Sequence, residues 1–347
     1  MGSSQPTGQG RTGGLQAAAM RDFFVCDFFD ASPKDDLASM EHPLFSLSTR
    51  PDRKIRHYDH NGTTITVTPS VRGRATIHDK DILIYCISQL MAALNAGREI
   101  SRTLRLTAHD LLLATCRDTG GDSYTRLREA FERLAGTRIT TNLAQGGEET
   151  TTGFGLIESW EIVRRTRASG GREGRMVSVS VTLSDWLFRA VLSKSVLTLS
   201  RDYFTLRKPL ERRVYELARK HCGGQRSWRI SIPVLHRKAG SDAPVRVFRA
   251  AIRRMIAADP LPDYALSEDE GDILRVTRRR LVDSDPHPAD PVFGADVVEA
   301  VRALAPGWDA YALEAEWRGY WISTGRPKLT SPRAAYLAWV RTRIEIP

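Results

Sequence analysis

The stretch that most restricts the fold of this 347-residue chain is residues 245–258, VRVFRAAIRRMIAA, with Pro244 before it and Pro260 just beyond. Wound as a helix at about 100° per residue, it puts Val245, Phe248, Ala251, Ile252, Met255 and Ile256 on one side. Arg246, Arg249 and Arg253 fall together on the other, with Arg254 at its edge and Ala250 and Ala257 among them. The apolar side must dock on a core. No acidic residue on the helix neutralises the cationic side, and its small residues allow close approach to a base edge or a phosphate. That is the layout a DNA-reading helix needs. The competing reading is a solvated basic surface helix.

Around this helix, periods and breakers spell out two similar runs of elements. In the first, residues 41–75 read as short strands: an LFSL patch, then IRHYDH and TTITVTPS either side of Asn61-Gly62, a strong hairpin signal. A long helix runs from Asp79 to about Asn95, with Gly97 as its stop. A second starts after Thr107 and continues through Ala114, and a third runs from Asp122 to Ala135 after the Gly120-Gly121 break. Strands follow at 138–143, 153–167 and 177–183. Three helices and then a hairpin is the order of a winged helix. After a short helix at 184–192, the order returns: helices at 208–221 and 233–238 around a strand at 228–232, then the basic helix. A hairpin of 264–266 and 273–278 turns through the acidic tip SEDEGD.

The expected fold class is therefore α+β: two tandem winged-helix domains plus a small helical C-terminal module. The expected limits are a disordered tail at 1–22, domains at 41–183 and 184–282, a linker at 283–296 and the module at 297–347. In that module Trp308, Trp317, Trp321 and Trp339 crowd together. Asp309 is placed as an N-cap, and Ser331-Pro332 opens another helix. So small a unit buries few such rings, which makes the others candidates for a docking surface.

The third helices of the two runs differ in charge. The first has Arg126, Arg128 and Arg133 but also Asp122, Glu129 and Glu132. Faces of mixed sign are usually solvated or meet a protein partner. Sequence reading is therefore assigned to the second domain. Dimerisation or backbone contact falls to the first, with the apolar run 82–94 or the mixed-charge helix as interface. Arg164, Arg165 and Arg167, with Arg172 and Arg175 just beyond, stand at the first wing tip, as phosphate contacts or as a basic loop. In the second domain Lys208, Arg212, Arg213, Arg219 and Lys220 line the first helix. Arg278, Arg279 and Arg280 end the wing, suited to phosphates or a narrow minor groove. The candidate DNA contacts are thus Arg246, Arg249, Arg253, Arg254, Lys208, Arg212, Arg213, Arg278, Arg279, Arg280, Arg126, Arg133, Arg164 and Arg165.

A formal charge of +10 attracts polyanions, nucleic acid first and anionic membrane surfaces second. No apolar run approaches the ~20 residues that span a bilayer, and the first residues lack a signal-peptide pattern. A soluble, cytoplasmic protein without membrane partner is expected. Cys26, Cys86, Cys116 and Cys222 form no CxxC pair and read as reduced, buried thiols. The formal GxGxxG at residues 8–13 follows no strand. GxxxxGK[ST], GxSxG, HExxH and a His-hydrophobe-His triplet are missing. His57 and His60 point to opposite faces of a strand, and Asp79 and Asp81 suit a helix dipole. No catalytic constellation, metal or cofactor is expected.

Three ordered stretches carry a resemblance: EHPLFSLSTRPDRKIRHYDHNGTTITVTPS, IHDKDILIYCISQLMAALNAG and LSRDYFTLRKPLERRVYELARKHCG. From about Met40 to Arg280 the chain resembles the plasmid replication initiator protein A family. The resemblance implies tandem winged helices, the first for dimerisation and the second for reading DNA repeats. It also implies binding to double-stranded repeats at a plasmid origin and recruitment of host replication factors. The words WRGYW and AYLAWVR are similar to C-terminal segments of helicase-loading replication proteins, which makes a host helicase or its loader the expected partner. The expectation is a non-enzymatic initiator, a homodimer that can bind DNA as monomers. The alternatives are a winged-helix transcriptional repressor and a DNA-nicking or primase-type enzyme.

Overall fold

A computed structural model describes residues 23–27, 31–60, 63–145, 148–165, 175–223, 225–279, 291, 293–306, 308–324 and 329–345. The expected tail at 1–22, most of the expected linker, Arg167, Arg172 and Arg280 lie outside them. The architecture is mixed α+β.

Residues 23–36, which have no marked period, supply strands β1 (Phe24–Val25) and β2 (Lys34–Asp36), followed by the short helix α1 (Leu37–Glu41). The LFSL patch is not a strand; it contributes Leu44 and Phe45 to the core and one isolated bridge, Ser46 to Thr76. Strands β3 (Arg56–His60) and β4 (Thr63–Thr68) pair with His60 opposite Thr63; Asn61 and Gly62, the expected turn between them, lie outside the described residues. Helix α2 (Lys80–Asn95) buries twelve of its sixteen residues. A helix apolar on nearly every side belongs inside a protein, so the run 82–94 is core and is not available as a dimer surface. Ile84 on α2 joins the second hydrophobic core while its neighbours build the first.

Strand β5 (Thr103–Leu106) leads into α3 (Ala108–Ala114), capped by Thr107, whose hydroxyl accepts from the Asp110 amide at 3.1 Å. Cys116, expected to be a buried thiol, lies beyond the end of α3 at φ +53° and is exposed. Helix α4 (Gly121–Gly136) follows. The strand expected at 153–167 is two strands. β6 (Arg138–Gln145) pairs with β7 (Glu148–Gly155), whereas β8 (Ile157–Arg165) pairs with β9 (Arg175–Leu183) in another sheet. The chain changes sheets at Leu156 and Ile157, both fully buried. The sheet orders are β3-β4-β6-β7 and β1-β5-β9-β8.

The second run begins with α5 (Asp185–Leu192), capped by Ser184, then β10 (Val196–Thr198) and a 3-10 turn at Arg201–Thr205. Helix α6 (Pro209–Cys222), strand β11 (Ser227–Ser231), α7 (Ile232–Ala239) and α8 (Val245–Ala258) follow. Strands β12 (Tyr264–Asp269) and β13 (Ile273–Arg278) close a sheet of order β11-β13-β12.

A buried ionic seam joins the two runs. Lys80 on α2 contacts Asp35 at 2.6 Å and Glu216 on α6 at 3.2 Å, all at 1% exposure or less. Asp81 pairs with Arg212, and β10 pairs antiparallel with β2. Charges this deep are tolerated only when fully paired. Residues 34–36, ahead of the expected first domain, are thus built into the seam.

Helix α9 (Ala295–Leu304) starts inside the expected linker and leads to α10 (Ala310–Ser323) and α11 (Pro332–Glu345). Their core is aromatic: Trp317, Trp321 and Tyr336 are buried, with Phe293 stacked on Tyr336 at 4.8 Å. Trp308 and Trp339 are half-buried, so this core engages all four tryptophans; Tyr320, at 53%, is the exposed ring. Asp309 caps α10 and also pairs with the buried Arg219 of α6.

Candidate nucleic-acid interface

Helix α8 begins where the Pro244 carbonyl accepts from the Val247 and Phe248 amides. It ends where Asp259 turns left-handed at φ +45°, just before Pro260, which cannot extend it. Phe248, Ile252 and Met255 are buried, and Val245, Ala251 and Ile256 are half-buried. The apolar side expected from the sequence is the docked one. Arg246, Ala250, Arg253, Arg254 and Ala257 are exposed, as is Val247.

The cationic side is not uniform. Arg246 and Arg254 have no carboxylate partner among the described residues. Arg249 is held by Asp272, Nε to Oδ1 at 2.6 Å and Nη2 to Oδ2 at 2.7 Å. Arg253 is held the same way by Glu268, at 2.9 and 2.8 Å. Glu268 lies near the end of β12 and Asp272 in the turn to β13, both within the acidic tip seen in the sequence. Their bonds to Arg249 and Arg253 hold both acids below their usual range. The absence of acids on α8 itself therefore did not make the face free: the neutralising groups come from the neighbouring hairpin. Farther along it, Asp269 is clamped between Arg229 and Arg275, each at 2.9 Å.

At the end of β13, Arg278 is half-buried with its amide bonded to the Arg226 carbonyl, and Arg279 pairs with Asp259. Lys208 is exposed and contacts Glu211 at 2.8 Å.

Arg212 and Arg213 do not face solvent. Arg212, 2% exposed, pairs with Asp81 and donates to the Leu206 carbonyl at 2.7 Å. Arg213, 3% exposed, donates to the carbonyls of Ser39, Met40 and Glu41 and to that of Lys238 at 2.8 Å. It thereby satisfies the orphan carbonyls that end both α1 and α7. Neither guanidinium reaches a DNA surface, which corrects the expectation from the sequence. On α6, arginine serves to join segments rather than to meet a ligand.

In the first run, Arg133 is fixed by Asp79 through two bonds of 2.7 and 2.8 Å; its role is internal. Arg126 is exposed without a carboxylate partner among the described residues. It borders a cleft of about 640 Å³ shared with Arg50, Arg117 and Arg207. At the cleft wall, burial and the nearby Arg212 push His78 down to about 4. Arg164 and Arg165 stand at the far end of the β8–β9 hairpin, opposite Met176 and Arg175. The structure thus brings Arg246, Arg249, Arg253 and Arg254 together on one helix face and scatters the other candidates.

The sequence profile described as "Replication initiator protein A" matches residues 34–266. A protein of Wigglesworthia glossinidia brevipalpis named "Putative replication protein" is 37% identical over 248 residues, 71% of this chain and 88% of that protein. Crystal structures of domains 2 and 3 of RctB are more distant. One has 14% identity and a TM-score of 0.48, covering 70% of this chain and 96% of that one. A second has 13% identity and a TM-score of 0.47, covering 69% and 95%. No helix among the described residues is long and apolar enough to cross a membrane.

Proposed function

The chain belongs to the replication initiator protein A family, and on that premise we propose that it starts plasmid replication by binding repeated double-stranded sites at the origin. The two runs of helices and hairpin are read as tandem winged helices, with α8 as the helix that enters the major groove. The observation that carries this reading is the exposed face of α8. Four guanidinium groups are interleaved with Ala250 and Ala257, and Val247 at the edge suits a thymine methyl. The chain works by binding energy and recruits a host helicase or loader, which supplies the ATP-driven step. A homodimer, joined through the first run rather than through α2, would exchange with DNA-bound monomers.

The test is selection of a preferred duplex from a randomised pool by the full-length protein, followed by footprinting. Arg246→Ala should weaken binding to that duplex by ~1–3 kcal/mol and relax base preference. Tandem copies of the selected sequence should flank the coding region. A pool that yields no preferred duplex would overturn the reading. A single operator-like site that represses transcription without supporting replication would identify a repressor instead.

A further inference from the structure

We propose that Asp272 and Glu268 are positioning residues for DNA reading, holding Arg249 and Arg253 by one edge so that the other edge meets guanine. This rests on the reading of α8 as the base-contacting helix. A guanidinium has two edges that can form paired hydrogen bonds. In both pairs the carboxylate takes the side edge, Nε with Nη2. The end edge, Nη1 with Nη2, keeps its outward N–H groups. That end edge is the one that matches guanine O6 and N7.

In one pair the guanidinium is clearly the more exposed partner, with the Arg253 side chain at 59% and Glu268 at 25%; Arg249 and Asp272 are nearly equal at 30% and 27%. The hairpin approaches α8 from the side of Arg249 and Arg253, leaving Arg246 and Arg254 clear. Its turn is itself fixed. Gly271 has φ +81° and Asp272 φ +62°, a left-handed pair that glycine and Asp or Asn adopt most easily. The Asp272 carbonyl also accepts from the Ile232 amide at 2.8 Å, tying the turn to the start of α7.

An arginine without such a partner must order its torsions when it binds; these two are ordered beforehand, which is what a precise contact requires. The charge of the tip points the same way. Glu268, Asp269, Glu270 and Asp272 fall within five residues, and phosphates would repel them. The tip of this hairpin therefore serves the helix beside it instead of clamping the DNA backbone.

The rival is that the carboxylates are internal counter-ions that DNA must displace. The two ideas differ in sign. Asp272→Asn keeps the left-handed turn and removes the charge; Glu268→Gln removes the charge near the end of β12, outside the turn, so at least one variant reports even if the other unfolds. Each is measured in the full-length protein against the selected duplex and a scrambled duplex of equal length, with a thermal melt as control for folding. Positioning predicts about a 10-fold loss on the selected duplex with weakened preference at guanine, and no loss on the scrambled one. In an Arg249→Ala background, Asp272→Asn should add less than about 2-fold, since paired residues act as a unit. Affinity rising on both duplexes, or changing on neither, would overturn the proposal while leaving the origin-binding reading intact. A pool with no preferred duplex would remove both.

Discussion

Arg212 and Arg246 are both arginines on basic helices, and replacing each by alanine should separate two kinds of effect. Arg212→Ala takes a guanidinium out of a site 2% exposed. It leaves Asp81 with Arg117 alone, at 2.9 Å, and strips the donors from the Leu206 and Phe204 carbonyls. It also removes a cation from above the Tyr203 ring, 5.0 Å away. Breaking a buried pair costs ~3–5 kcal/mol, and an orphaned carbonyl ~1–3 kcal/mol. Arg117 remains to compensate Asp81, so a net loss of about 4 kcal/mol is expected, a large part of the ~5–15 kcal/mol available to a folded protein. With a urea dependence of ~3 kcal/mol per molar, the midpoint should fall by about 1 M. Arg246→Ala, at an exposed and unpaired position, should change stability by less than ~0.5 kcal/mol and act on DNA affinity instead. The assay is urea unfolding followed by circular dichroism, with anisotropy titration of the selected duplex at a temperature where both variants are folded. If Arg212→Ala keeps the wild-type midpoint yet loses DNA affinity, the assignment of α6 to the interior seam is wrong.

Three further outcomes follow from the same geometry. Removing residues 297–347 takes Asp309 from the buried Arg219, so the urea midpoint should drop by the equivalent of about 3 kcal/mol with duplex affinity within a few-fold; loss of DNA binding at unchanged stability would instead place the module in the interface. Arg278→Ala should lower the slope of log affinity against log salt by about 0.9, equally on selected and scrambled duplexes; a change confined to the selected one would make Arg278 a base contact. Burial pushes His78 and His42 down to about 4 from an ordinary 6.5, so both stay neutral in the fold while the unfolded chain protonates them first. Their contribution is intact above pH 6.5 and is lost as pH falls toward 4; His78→Gln should flatten that part of a melting-temperature profile, and an unchanged slope would show that His78 is not a driver.

What the chain determined by itself is what neighbouring residues settle among themselves. Helix α8 occupies the span its period marks out, Val245–Ala258, with the apolar residues inward. Thr107, Ser184 and Asp309 cap the helices they precede, and β3 pairs with β4 as the two alternating runs of the sequence predict. Capping, turn chemistry and amphipathic period act over a few residues, so the linear pattern contains them. The tertiary structure decided which arginines face outward. Arg212 and Arg213 resemble those of α8 in the sequence, but their partners lie 131 and more than 170 residues away, at Asp81 and at the end of α1. Arg249 finds Asp272 across 23 residues, in a tip whose acidity was plain in the sequence but whose target was not. The split of the long strand at Leu156 is of the same kind, since a continuous β pattern does not say which sheet each half joins. An ion pair or a strand pairing is a meeting of two surfaces. The free energy that selects it depends on burial and distance, and both exist only once the chain has closed on itself.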